Sequence, residues 1–288
     1  MSRIQEILKK AEREGGVQRT RALVTDAPPA AGAGASAIAM PAPWTPAARE
    51  QQDAAPAPAR TVSGTLDPRL VAAFAPQSLA AEQYRSLRTR IKAAESGRVF
   101  RSLIITSPNK GDGKSLTAAN LALTMGQEFQ QRVLLVDADL RRPSIHHLFG
   151  INETPGLTDV LMGGSTIENA LVDIPEHHVT VLPSGLVPVH PAELLGSAGM
   201  RRVLDTLRTR YDRVILDMPP VAPLADVSIA AGMVDGILMI VRAGVTPKPA
   251  IERALAGLEV SKVLGLVLND AGATDAKYAY GGYGYVAG

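Results

Sequence analysis

The segment SPNKGDGKS, residues 107–115, most constrains what this chain can fold into. It follows the apolar run SLIIT and leads into LTAANLALTMG, which reads as a helix. A strand that passes through a glycine loop into a helix is the arrangement that cradles phosphate. Gly111 and Gly113 let the backbone approach an anion closely, and the start of the helix adds a partial positive charge. The pattern assigns the polyphosphate of ATP to the backbone at Lys110, Gly111, Asp112, Gly113, Lys114, Ser115 and Leu116. The Lys114 ammonium would reach the β- and γ-phosphates, and the Ser115 hydroxyl would bind Mg²⁺. The first glycine position of G-x-x-x-x-G-K-[ST] falls on Pro108, so the loop is a deviant version of that motif.

Two further segments, RVLLVDADLRRP at 132–143 and RVILDMPP at 213–220, are apolar runs that end in aspartate. In a parallel sheet Asp137, Asp139 and Asp217 would share the edge that carries the glycine loop, where a metal-bound triphosphate needs carboxylates. The full pattern predicts strands at 102–106, 132–136, 178–182, 213–216, 236–241 and 263–268. It predicts helices at 114–128, 200–210 and 249–260. Near-continuous apolar strands alternating with helices imply an α/β domain with a mostly parallel sheet covered on both faces.

Composition sets the outer limits. An apolar fraction of 46% over 288 residues supports a sizeable core, and a net charge of +2 gives no footprint for nucleic acid. The absence of cysteine excludes disulfides and thiolate metal sites. Residues 1–24 open on a short amphipathic stretch with Ile4, Ile7, Leu8 and Ala11 at helical spacing, which fits either a solvated helix or a docking one. Residues 25–66 are rich in Ala and Pro and read as a disordered linker. Residues 67–274 read as the phosphate-binding domain, and 275–288 as a flexible tyrosine-rich tail. No run is long enough for a membrane span, so the chain is expected to be cytoplasmic.

Together the loop, VLLVDADLRRP and VILDMPP resemble the Walker A, A′ and B motifs of the bacterial tyrosine kinases, P-loop autokinases that accompany exopolysaccharide and capsule export. The resemblance spans residues 68–288. It implies a deviant Walker A fold of the wider MinD and ParA class, with Ser115, Asp137, Asp139 and Asp217 forming the Mg·ATP site. It further implies a separate transmembrane activator, a cognate tyrosine phosphatase and a location at the inner face of the plasma membrane. Asp137 is the candidate base that accepts the tyrosine proton, with Lys114 and Asp139 beside it. How base and metal roles divide among the three carboxylates stays open at this level. Asn269 falls where related ATPases place an adenine-reading asparagine. Arg141 and Arg142 fit phosphate contacts or plain surface arginines, and Asp226 fits a recurring family acid or a helix cap.

Two features separate the kinase reading from a positioning ATPase similar to MinD and ParA. In SLAAEQYRSLRTRIKAAES, residues Glu82, Arg85 and Arg88 fall along one side of a helix, and E-x-x-R-x-x-R resembles the motif by which these kinases form rings. The tail KYAYGGYGYVAG carries Tyr278, Tyr280, Tyr283 and Tyr285, four of the six tyrosines in the chain, separated by alanine and glycine. These are the expected phosphoacceptors, phosphorylated in trans between subunits. The positioning ATPases also carry a lysine five residues before the Walker lysine, and here that position is Asn109. A catalytically silent adaptor is disfavoured by the intact Lys114 and its three aspartates.

Overall fold

The computed structural model describes residues 60–61, 64–95, 97, 99–128, 131–221 and 225–271. The amphipathic N-terminal stretch, most of the Ala/Pro segment and the four tail tyrosines lie outside the described residues. In chain order the strands are β1 (Arg60–Thr61), β2 (Ser102–Thr106), β3 (Val133–Asp137), β4 (Val172–Ile174), β5 (Val179–Leu182), β6 (Arg213–Asp217), β7 (Gly236–Arg242) and β8 (Val263–Asn269). The helices that position the site are α1 (Val71–Phe74), α2 (Leu79–Ala94), α3 (Lys114–Gly126), α4 (Ile145–Phe149), α5 (Leu157–Leu161), α6 (Ile167–Ala170), α7 (Pro191–Leu195), α8 (Ala198–Arg210), α9 (Asp226–Ala231) and α10 (Lys248–Ala256).

The strands form one sheet in the order β1-β4-β5-β3-β6-β2-β7-β8. Every pairing is parallel except β4 with β5. The mostly parallel α/β sheet is therefore the one its apolar strands imply, with an antiparallel exception of three residues. Arg60–Thr61, within the segment read as linker, pair with Val172–Asp173 at the sheet edge. Helices read at 114–128 and 249–260 end at Gly126 and Ala256, where the apolar spacing outruns the hydrogen-bonded turns.

Alternation along the central strands divides the core between two faces. Leu103, Ile105, Val133 and Leu135 pack with α3 and α4, whereas Ile104, Leu134, Val136 and Leu216 pack with α8, α9 and α10. Strands β2, β3 and β6 are buried along their whole length. This explains their unbroken apolar sequence, since neither face meets water.

The segment ahead of the sheet is tied down through α3. Asn120, 1% exposed, accepts a hydrogen bond from the Ala72 amide at 3.0 Å and donates to the Arg69 carbonyl at 3.2 Å. The Gln127 amide donates to the Ala72 carbonyl at 2.9 Å. At the far end Arg213 pairs with Glu95 and donates to the Phe100 carbonyl at 2.5 Å, anchoring the end of α2 to the start of β6. Among the described residues, no helix is long and apolar enough to cross a membrane.

Replacing Asn120 by leucine leaves the buried Ala72 amide without its acceptor, while the Arg69 carbonyl keeps the Val71 amide. We expect a loss of roughly 1–3 kcal/mol of unfolding free energy, measured by chemical denaturation. A loss within experimental error of zero would mean that residues 64–76 do not depend on this anchor.

Candidate active site

The sheet register places the site. Asp137, the last residue of β3, pairs with Asp217, the last residue of β6, and Asp217 stands opposite Ile105 of β2 on its other side. Two residues after Ile105 the phosphate loop begins. Neighbouring strands lie about 4.8 Å apart, so the two carboxylates and the loop fall at one carboxyl edge. A glycine at position 113 is required twice over. Its φ is 95°, and a Cβ there would lie 2.1 Å from the Asn269 side-chain nitrogen. Gly111 also has positive φ, at 87°. The two left-handed residues turn the chain into α3, whose first residue is Lys114.

The Lys114 ammonium lies 2.7 Å from Asp139 Oδ2, 3.5 Å from Asp217 Oδ1 and 3.0 Å from the Ser115 hydroxyl. Burial is the largest influence on this lysine and opposes its charge. The fields of Asp217, Asp139 and Asp137 together outweigh it and hold the ammonium above its ordinary pKa. Asp217 is fully buried, and that burial raises its pKa despite Lys114 and the Ser115 hydroxyl. Asp137 is pushed up to about 8, first by burial and then by Asp217. Its Oδ2 still accepts from the Ser144 and Ile145 amides at 2.9 Å each, and its Oδ1 from the Asp139 amide at 3.2 Å. Those amides fix the orientation of the carboxylate and carry it from β3 into the start of α4.

The donor set fits a divalent cation that arrives with phosphate. Among the described residues, no group of three His, Asp or Glu side chains is arranged to hold a metal alone. A hydroxyl and one or two carboxylates, with substrate phosphates completing the shell, is the usual arrangement for Mg²⁺. Ser115, Asp137, Asp139 and Asp217 supply such a partial set beside Lys114.

Other residues singled out in the sequence are placed as follows. Lys110 is exposed on the loop, and Leu116 packs against the core on the α3 side. The Asp112 carboxylate is buried and engaged with protein donors, so any phosphate contact at this position is left to its amide. Asn269 donates to the Asp112 carbonyl at 2.9 Å. Arg141 forms a two-pronged pair with the fully buried Asp226, at 2.7 and 3.1 Å. This joins the segment after β3 to the first turn of α9. Asp226 is thus the first residue of that helix and an arginine partner; the cap position is Ala225. Arg142 is exposed.

The E-x-x-R-x-x-R residues lie on α2, away from the carboxylates. Arg85 pairs with Glu82 at 2.6 Å and donates to the Pro76 carbonyl at 2.8 Å. Arg88 donates to the Thr124 carbonyl at 2.7 Å near the end of α3. An open cleft of about 900 Å³ lies at the opposite edge of the sheet, where β3 and β5 begin, between residues such as Arg132, Asp173 and Tyr211. None of the phosphate-binding groups lines it.

With this geometry in place, comparison with known proteins is informative. An AAA domain family matches residues 101–244. The tyrosine-protein kinase YwqD of Bacillus subtilis (strain 168) is 41% identical over 218 residues, covering 75% of this chain and 91% of that protein. The chimerical protein CapA2B2 superposes with a TM-score of 0.68 at 31% identity, over 73% of this chain and 94% of that one. The cell division ATPase MinD of Pyrococcus furiosus reaches 0.50 at 27% identity, over 60% and 73%.

The raised Asp137 pKa carries a stability prediction for the protein without nucleotide. Its folded value of about 8 lies above an unfolded value near 3.8, so the folded state holds the proton more tightly. Its contribution is full below about pH 4 and is lost as pH rises through about 8. In EDTA, Asp137→Asn should therefore gain thermal stability relative to the parent as pH is raised from 5.5 to 8.5, by roughly 3 °C or more. Parallel melting curves for the two proteins across that range would contradict the shift. The chain belongs to the bacterial protein-tyrosine kinase family and is built as an ATP-using P-loop kinase.

Proposed function

We propose that this kinase phosphorylates Tyr278, Tyr280, Tyr283 and Tyr285 of its own C-terminal tail, in trans between subunits of a ring, and thereby regulates exopolysaccharide synthesis and export. The observation that carries this reading is where the tail departs. Asn269, the last residue of β8, hydrogen-bonds the phosphate loop through the Asp112 carbonyl, and the tyrosine segment follows within ten residues. Residues 272–288 span at most roughly 60 Å when extended, enough to enter a neighbouring copy's site. After Lys277 the tail carries no charged side chain, so nothing in it opposes approach to an acidic site.

In this mechanism bound Mg·ATP supplies the γ-phosphoryl group, the tyrosine oxygen taking it as ADP departs with the electron pair of the broken bond. A phenol with a pKa near 10 needs help to lose its proton at neutral pH. Asp137 accepts that proton, its carboxylate held in orientation by the Ser144 and Ile145 amides. Lys114 and the loop amides stabilise negative charge on the transferring group. Ser115, Asp139 and Asp217 hold the metal, directly or through water.

Glu82, Arg85 and Arg88 serve the ring contact. Arg88 already anchors α2 to α3 within the subunit, while the Glu82–Arg85 pair lies on the outer side. The remaining partners are a membrane activator, whose cytoplasmic end docks on the kinase at the inner face of the plasma membrane, and a cognate tyrosine phosphatase. Both follow from the family.

The test is to incubate the purified chain with Mg·ATP and the cytoplasmic segment of its membrane partner, and to detect phosphotyrosine by mass spectrometry. The intact chain should be labelled in the tail. Lys114→Met and a chain ending at Ala276 should both lose at least about 90% of the label, the first for want of charge stabilisation. Label that persists in the shortened chain at full level would remove the tail from the mechanism.

Each phosphotyrosine adds about −1.5 to −2 charges at pH 7, so four of them repel one another and the acidic site. Light scattering should show the phosphorylated form shifting toward monomer. A fully phosphorylated sample that stays fully oligomeric would rule this out.

A further inference from the structure

Asp112 is 2% exposed although it sits within the phosphate loop. Its Oδ2 accepts from the Asn109 amide at 2.8 Å, and its Oδ1 accepts from the Thr246 hydroxyl at 2.7 Å. The Thr246 oxygen in turn accepts from the amide of Arg242, the last residue of β7, at 2.9 Å. The hydroxyl thus donates to the phosphate loop and accepts from the sheet in one fixed orientation. The backbone of the same aspartate receives Asn269 from the end of β8. A single residue therefore joins three segments, namely the phosphate loop, residues 243–247 after β7, and the end of β8.

A free carboxylate inside a polyphosphate cradle would repel its ligand. Here both oxygens are directed at protein donors, so the negative charge is spent on bracing. The two segments braced are those that flank Asn269, the side chain placed for the base. The strand before the phosphate loop and the strand that ends in Asn269 are joined through β7, and these contacts add to the sheet by bracing the loops that extend beyond its edge.

We propose that Thr246 is a positioning residue for the purine base. Through Asp112 it locks the loop of residues 243–247 and Asn269 against the phosphate loop, so that the base and the phosphates are gripped as one rigid ligand. This rests on the base lying beside Asn269, which Asn269→Ala tests separately. That variant should weaken Mg·ATP binding by clearly more than it weakens Mg·tripolyphosphate binding.

The decisive measurement is calorimetric titration of the full chain with Mg·ATP and, separately, with Mg·tripolyphosphate, which has the phosphates but no base. Thr246→Val removes the hydroxyl at nearly constant volume. Its affinity for Mg·ATP should fall about tenfold, in keeping with loss of a hydrogen bond to a charged group. Its affinity for Mg·tripolyphosphate should change by less than about twofold, because the Asn109 bond still shapes the loop. In autophosphorylation the KM for ATP should rise with kcat little altered, and Thr246→Ser should restore parental behaviour. Unchanged Mg·ATP binding would overturn the proposal. An equal fall for both ligands would also overturn it, as the hydroxyl would then serve the phosphate loop alone. A serine variant that failed to rescue would do the same. Thr246→Ala gives the same readings if the valine variant does not fold.

Discussion

A lysine ammonium among three buried aspartates is the interaction on which this architecture depends. Asp217 is fully buried and Asp139 nearly so, and Lys114 lies within 3.5 Å of both. Taking these charges out of water is costly, and one ammonium cannot neutralise three carboxylates. Burial first, and the neighbouring carboxylates after it, raise the proton affinities of Asp137 and Asp217. A site of this sign repels bare polyphosphate, and its carboxylates with the Ser115 hydroxyl suit a divalent cation that arrives with it.

The sheet makes that concentration of charge possible. Register pairing of Asp137 with Asp217 sets two carboxylates side by side without any long side chain to position them. β6 lies between β3 and β2, so the Walker B aspartate is the hinge between the Walker A′ strand and the phosphate loop. The backbone then holds what electrostatics would push apart. Amides of Ser144 and Ile145 fix Asp137, and the amide of Arg142 donates to Asp139 at 3.1 Å. Breaking the chain direction after β3 into α4 serves the site as much as the fold.

The parts of the molecule visible in the sequence are those governed by local pattern. Strands β2, β3, β6 and β7 are continuous apolar runs because both sheet faces are covered there, and their bounds and those of the part-buried edge strand β8 follow within one residue. The loop from Ser107 to Ser115 is legible because its glycines answer a backbone requirement. What was hidden depends on partners distant in sequence. Val172–Ile174 is too short for a periodic signal and becomes a strand only because β5 offers it an edge. Arg141 and Asp226 are ordinary residues until the fold brings them together across 85 positions. Asp112 looks like a phosphate-loop residue, yet its side chain belongs to Thr246, 134 positions away. No spacing rule could assign that bond.

The fold alone does not separate a kinase from a cell division ATPase, since MinD superposes on this chain with a TM-score of 0.50. The separation lies in sequence identity and in what surrounds the site. At 41% identity the relation to a tyrosine kinase extends over 218 residues, well beyond the nucleotide loop. Position 109 carries asparagine, whose amide is spent on Asp112 within its own loop. The end of β8 in turn meets that loop through Asn269 and leads straight into the segment with four tyrosines. The same contact ties the end of β8 to the phosphate loop, so any shift of β8 that loosens Asn269 also releases the Asp112 carbonyl.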